Sequence, residues 1–209
     1  MTFSNILATL GSGKKKPAPA PSPEQKPPEP KKADYSAYWM LFLGLLLFTV
    51  GGMFNNAPLK GQHKLLVATA EMPLKELQKT VLLVVRHDRG GAQGIVLNVP
   101  GYGGPQEKDR VFAVHTLDVT LPETIAMPDL GLGVLEGKEA IEKLKKEKTK
   151  PAWYIIVHGY AGWAAHQMES EVSTGLWELV EFDKGTLTAT PPAKLWDVAR
   201  KLPKFEITH

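Results

Sequence analysis

From residue 61 onward the chain consists of short apolar runs separated by polar, Gly-rich and Pro-rich breaks, a pattern that predicts many short strands in one domain. Val81–Val85 and Ile95–Leu97 flank Asp88, Arg89, Gly90 and Gly91, residues that tolerate a tight turn, so a hairpin is expected there. Leu65–Thr69, Val111–Thr116, Leu132–Leu135, Trp153–Val157 and Trp177–Phe182 read as further strands, with Thr186–Ala189 as a weaker one. Helical spacing places helices at Lys138–Lys148, Gly162–Val172 and Pro192–Leu202. The last is entered through Pro191 and Pro192, which a first turn accommodates, and carries Leu195, Trp196, Val198, Ala199 and Leu202 mostly on one stripe. Strands ahead of helices in this order give an α+β class.

A different pattern precedes this domain. Between Ser36 and Leu59 there is no charged residue, and the apolar run inside it is long enough for a helix to cross a hydrocarbon core. Residues 37–57 are therefore predicted to form one transmembrane helix, with Tyr38 and Trp39 at an interface and Gly44, Gly51 and Gly52 permitting close approach of a partner helix. Lys14, Lys15, Lys16, Lys26, Lys31 and Lys32 crowd its N-terminal flank. That bias predicts a single-pass inner-membrane protein, N-terminus cytoplasmic and C-terminal domain periplasmic or on the equivalent organelle side. The run exceeds a signal-peptide core and begins far from Met1, so an anchor fits better than a cleaved leader.

Residues 1–36 contain a Pro-, Lys-, Ala- and Glu-rich stretch that lacks the apolar area to offset its ordering entropy, and a disordered tail is expected. Phe3 and Ile6, with Leu7 and Leu10, have a helical spacing suited to a short docking turn.

Charge narrows the partners. Of 25 Lys plus Arg and 22 Asp plus Glu, six and three precede the span, leaving 19 of each sign, so the folded domain is formally neutral. Nucleic-acid binding draws on cations that neutralise phosphates, and none is expected here. The Lys143–Lys150 run is broken by Glu147 and reads as a solvated helix face. Absence of cysteine removes disulfides, thiolate nucleophiles and thiolate metal sites.

The residues suited to chemistry are few. His166 and Glu169 lie three apart on a predicted helix, a spacing that would hold a metal or an acid/base pair, and His158, His87, Asp88 and His115 would be the converging donors. Against this, Gln167 and Glu169 would cap backbone and the histidines would sit at turns. Gly103–Pro105 and Gly90–Gly91 resemble anion nests but lack the Lys-Ser/Thr or strand-helix context, and turns explain them better. Trp153, Tyr160, Trp163 and Trp177 suit a core better than a ligand platform. No catalytic, cofactor-binding or metal residue is assigned, and no small-molecule substrate is identified.

Five blocks taken in order, Leu66–Thr69, Thr80–Asp88, Gly91–Pro100, Gly103–Pro105 and Gly159–Glu169, resemble those of the YqgE/AlgH family, over about residues 61–202. The domain is taken as 61–209. The resemblance implies mixed, bifurcated sheets forming a small barrel-like core flanked by helices, with Asn98, Gly103, Gly104, Pro105, Gly159, Gly162, Trp163, Gln167 and Glu169 as structural motif positions. It implies no established enzymatic chemistry, and a link to transcriptional regulation in some members. The predicted anchor departs from the family, the segment between Asn98 and Gly103 is shortened so that one edge is trimmed and open to a partner, and Ala164 and His166 replace glycines.

The function expected is that of a non-catalytic, membrane-anchored accessory or scaffold subunit of a larger integral membrane complex: respiratory, photosynthetic or envelope-assembling. Its partners would be that complex and the lipid bilayer. A transcription-linked regulator and a metal-dependent hydrolase are the alternatives.

Overall fold

The structure, a computed structural model, describes residues 59 and 61–205. The predicted tail (1–36) and span (37–57), and with them Phe3, Ile6, Tyr38, Trp39, Gly44, Gly51 and Gly52, lie outside the described residues. Among the described residues no helix is long and apolar enough to cross a membrane.

The strands are β1 (Leu65–Ala68), β2 (Val81–Asp88), β3 (Gly91–Val96), β4 (Gly101–Tyr102), β5 (Gln106–Thr116), β6 (Ile125–Met127), β7 (Leu132–Glu136), β8 (Tyr154–Ala164) and β9 (Trp177–Val180). Helices are α1 (Lys138–Lys146), α2 (Gln167–Ser173), α3 (Lys184–Ala189) and α4 (Pro192–Ala199). The strand order is β6-β7-β5-β8-β3-β2-β1-β9, every neighbouring pair antiparallel, and β4 joins β8 in parallel. The result is a mostly antiparallel half-barrel with a few helices.

Strand β8 makes the half-barrel one object. Its first part, from Tyr154 to Tyr160, pairs with β5, and its last four residues, Ala161–Ala164, pair with β3. The change of partner falls between Tyr160 and Ala161, just past Gly159, whose φ of 74° belongs to the left-handed region. A Cβ there would stand 2.5 Å from the Gly104 carbonyl oxygen and 2.7 Å from that of Gln106, so only glycine lets the Gly103–Pro105 segment cross at backbone contact.

Both faces of the central strands are buried, which explains why β1 and β2 read as continuous apolar runs. Leu65, Val67, Val81, Leu83, Ile95, Phe112, Val114 and Val157 form one core with Leu187 and Leu195 of α3 and α4. Leu66, Ala68, Leu82, Val84, Ala92, Ala161, Trp163 and Trp177 form a second with Met168 of α2. A third lies under α1, where Ala140, Ile141 and Leu144 meet Val111, Ala113 and Leu135.

Several expectations are corrected. The predicted helix Gly162–Val172 is a strand up to Ala164 and a helix only from Gln167, because Gly162, Trp163 and Ala164 bond to Gln93, Ala92 and Gly91. Thr186–Ala189 is helical: Oδ2 of Asp183 accepts the Thr186 amide at 2.7 Å, and that cap overrides the β-branched composition. The last helix ends at Ala199 rather than Leu202, and β9 ends at Val180 rather than Phe182. The hairpin stands as expected, with Asp88 opposite Gly91.

Candidate functional site

The motif residues gather where β8 runs into α2. His166 adopts a left-handed conformation (φ 62°) that turns the chain out of β8, so the position the resemblance gives to glycine is one where glycine carries no strain. Gln167 reaches back: its Oε1 accepts the Ala164 amide at 3.0 Å and its Nε2 donates to Glu171 at 2.8 Å. Two residues beyond Glu169 the helix turns the Glu171 carboxylate into the core, 4 % exposed. There it accepts the indole N–H of Trp163 at 2.8 Å and of Trp177 at 2.9 Å. The two indoles meet edge to face at 6.0 Å. A carboxylate with three directed donors is a satisfied buried charge.

Beside it, buried His87 of β2 donates from Nε2 to Glu169 at 3.0 Å. Its Nδ1 has no hydrogen-bond partner among the described residues and faces the backbone of Gly61. His115, also buried, bonds the Thr116 carbonyl oxygen through Nδ1 at 3.0 Å. His158 and His166 are exposed on different elements. The set read from the sequence is therefore split: Glu169 turns to His87, His115 lies in the body of β5, and His158 and His166 stay in solvent. Among the described residues no three His, Cys, Asp or Glu are grouped as a metal site.

The remaining motif positions are structural. Asn98 accepts the Val81 amide at 2.8 Å and donates to the Lys79 carbonyl oxygen at 2.9 Å, tying the end of β3 to the start of β2. Gly103 and Gly104 lie against Gly159 and Tyr160 too closely for a side chain, and Gly162 lies as close to Gln106. Arg89 and Gly90 form the hairpin turn ahead of Gly91, and the Gly90 amide donates to Asp88 at 2.7 Å. Trp163 and Trp177 are core residues. The shortened stretch after Asn98 leaves Val99, Pro100 and Gly101 exposed before β4 rejoins β8.

Two features were not singled out in the sequence. One is a groove of about 530 Å³ beside α2, bounded by Thr69, Glu169, Val172, Trp177, Leu179 and Phe205, with the Lys204–Glu178 ion pair (2.8 Å) on its rim. Its far wall is the segment that follows α4, which bonds to the outer edge of β9 through Phe205 N–H to the Leu179 carbonyl oxygen and Glu181 N–H to that of Pro203. The other lies on the bulged start of β5. Arg110 sits over the rings of Phe112 and Tyr160 and bonds Glu107 and Glu136, while the Tyr160 hydroxyl donates to Glu107 at 2.8 Å. Burial first, then that hydrogen bond, push the Tyr160 pKa up to about 12. Burial works against the Arg110 charge, but its carboxylate partners outweigh it and hold the pKa above its ordinary value.

A profile of the AlgH-like family matches residues 101–207, a stretch holding the Gly103–Pro105 crossing, β8 and the Glu171 clamp. The chain belongs to the AlgH-like family. Its relatives include a UPF0301 protein of Caulobacter vibrioides, 26 % identical over 171 residues, which span 69 % of this chain and 87 % of the relative. Another, from Bordetella petrii, is 27 % identical and covers 71 % and 86 %. Among solved structures, AlgH of Pseudomonas aeruginosa matches with a TM-score of 0.57 at 25 % identity, over 71 % of this chain and 92 % of that one. A Corynebacterium diphtheriae protein, at 20 % identity and TM-score 0.55, shares the AlgH-like fold.

Proposed function

We propose that this AlgH-like protein is a membrane-anchored, non-catalytic accessory or scaffold subunit of a larger integral membrane assembly. The observation that carries the reading is how the motif side chains are engaged. Glu171, Gln167, Glu169, His87 and Asn98 all bond inward, to indoles, backbone or one another, and so maintain the shape of the domain rather than converge on a reacting atom. Shape is what a binding module needs. The groove beside α2 and the formally neutral surface supply a place for a protein partner, and the uncharged stretch 37–57 supplies a reason for that partner to be in a membrane.

The test is extraction of the native protein in mild detergent, native gel separation and mass spectrometry of what migrates with it. Stoichiometric co-migration with one membrane complex is the expected result. Migration always as a lone species defeats the proposal.

A further inference from the structure

In the anchored reading, the part of the domain next to Leu59 is the part within reach of the bilayer. Leu59 is already part of the fold: its amide donates to the His87 carbonyl oxygen at 2.8 Å. His63 N–H donates to the Val84 carbonyl oxygen at 2.8 Å, and the His87 amide donates to the Gln62 side chain at 3.1 Å. Leu59, Gln62 and His63 thus lie alongside β2 just ahead of β1, with Leu59 against His87 and His63 against Val84. Leu59 therefore sits beside His87, next to the tip of the β2–β3 hairpin.

Only Pro58 separates residue 57, the end of the predicted span, from Leu59. At about 3.5 Å per residue, two residues reach no more than about 7 Å. In the anchored reading the hairpin tip is therefore within reach of the headgroup layer, whichever leaflet the domain faces. The far end of β2 and β3, with Val99, lies roughly 20–25 Å from the tip along the strands.

The tip carries chemistry suited to that layer. Arg86 is 59 % exposed and Arg89 is exposed at the turn. The neighbouring carboxylate, Asp88, is occupied by the Gly90 amide at 2.7 Å and lies 3.8 Å from Arg86. Ala164 of β8 pairs with Gly91, so Ala165 and His166, both exposed, share this end of the sheet. Guanidinium groups pair with phosphate through directed, charge-assisted hydrogen bonds.

We infer that the β2–β3 hairpin tip is a phospholipid-facing surface in which Arg86 and Arg89 contact headgroup phosphates and set the orientation of the domain on the bilayer. This rests on the membrane-anchored reading above. The chain has no cysteine, so single fluorophores attach cleanly at Ala165→Cys on the tip and Val99→Cys at the far end. Full-length protein is reconstituted in phosphatidylcholine–phosphatidylglycerol vesicles carrying a headgroup-tethered quencher. The expected result is several-fold stronger quenching at Ala165→Cys than at Val99→Cys, and loss of most of that difference when Arg86→Glu and Arg89→Glu are added. Equal quenching at both sites, in protein that floats with the vesicles, overturns the inference and leaves the anchor standing. Quenching unchanged by the charge reversal overturns the phosphate contact. Protein that does not float with the vesicles removes the anchored reading, and this one with it.

Discussion

Two helices cover the sheet by opposite means. Helix α1 is held chiefly by apolar contact: Ala140, Ile141 and Leu144 are buried, while its charged side chains are exposed, Lys143 pairing with Glu123 at the surface. Helix α2, two residues shorter, buries Met168 and adds a buried carboxylate gripped by the indoles of Trp163 in β8 and Trp177 in β9, with Gln167 of the helix itself as the third donor. An apolar stripe is tolerant, since a smaller side chain costs area and a cavity. A buried charge is not, since removing it strands every donor aimed at it.

The comparison breaks most readily at Glu171. Glu171→Ala leaves the Trp163 and Trp177 N–H groups unpaired in the core and takes the acceptor from the half-buried Gln167 amide, and should cost about 4 kcal/mol by urea unfolding. Glu171→Gln should recover part of this. Leu144→Ala, the corresponding change under α1, is expected to cost about 3 kcal/mol, as transfer and cavity terms dictate, with no change of fold. If the two losses came out reversed, the clamp would not be what secures α2.

Smaller effects extend the contrast to the other face of the sheet. Tyr160 ionises at about 12 in the fold against the ordinary 10, so the folded state holds its proton more tightly than the unfolded chain. Its contribution is present below pH 10 and is lost as pH rises from about 10 to about 12. Thermal melts across that window, with tyrosinate absorbance followed in parallel, should show a decline that Tyr160→Phe reduces; the remainder belongs to Tyr102, whose hydroxyl pKa is raised by burial and by Glu76. Last comes the exposed Lys145–Glu142 pair on α1: Lys145→Ala should change stability by less than about 0.5 kcal/mol, because exposed pairs are screened.

The same contrast explains what could be read from the chain. Helix α1 and most strands follow their periodicity, because packing against one or two apolar faces is what sets that periodicity. The β8–α2 junction does not. Val157 and Tyr160 lie in the same core although three residues apart, since Gly159 breaks the period of two, and past it Ala161 and Trp163 enter the other core. Small residues around Trp163 then imitate a helix. The family blocks were legible as local strings, and the AlgH-like profile bears them out from residue 101 onward. The site they build was not: His87 and Glu169 are 82 residues apart, and no local pattern announces their hydrogen bond. Asp183 shows the converse, where one capping side chain decided a segment whose composition favoured a strand.

The sharing of β8 between β3 and β5, and of β1 between β2 and β9, also orders events during synthesis. The half-barrel cannot close until residue 164 is available, and the outer edge of β1 stays bare until residues 177–180 arrive. Such distant pairings slow folding, and an uncovered strand edge invites the wrong neighbour meanwhile. Nascent chains stalled before β9 should therefore be the form of this protein most prone to aggregate and most in need of a chaperone.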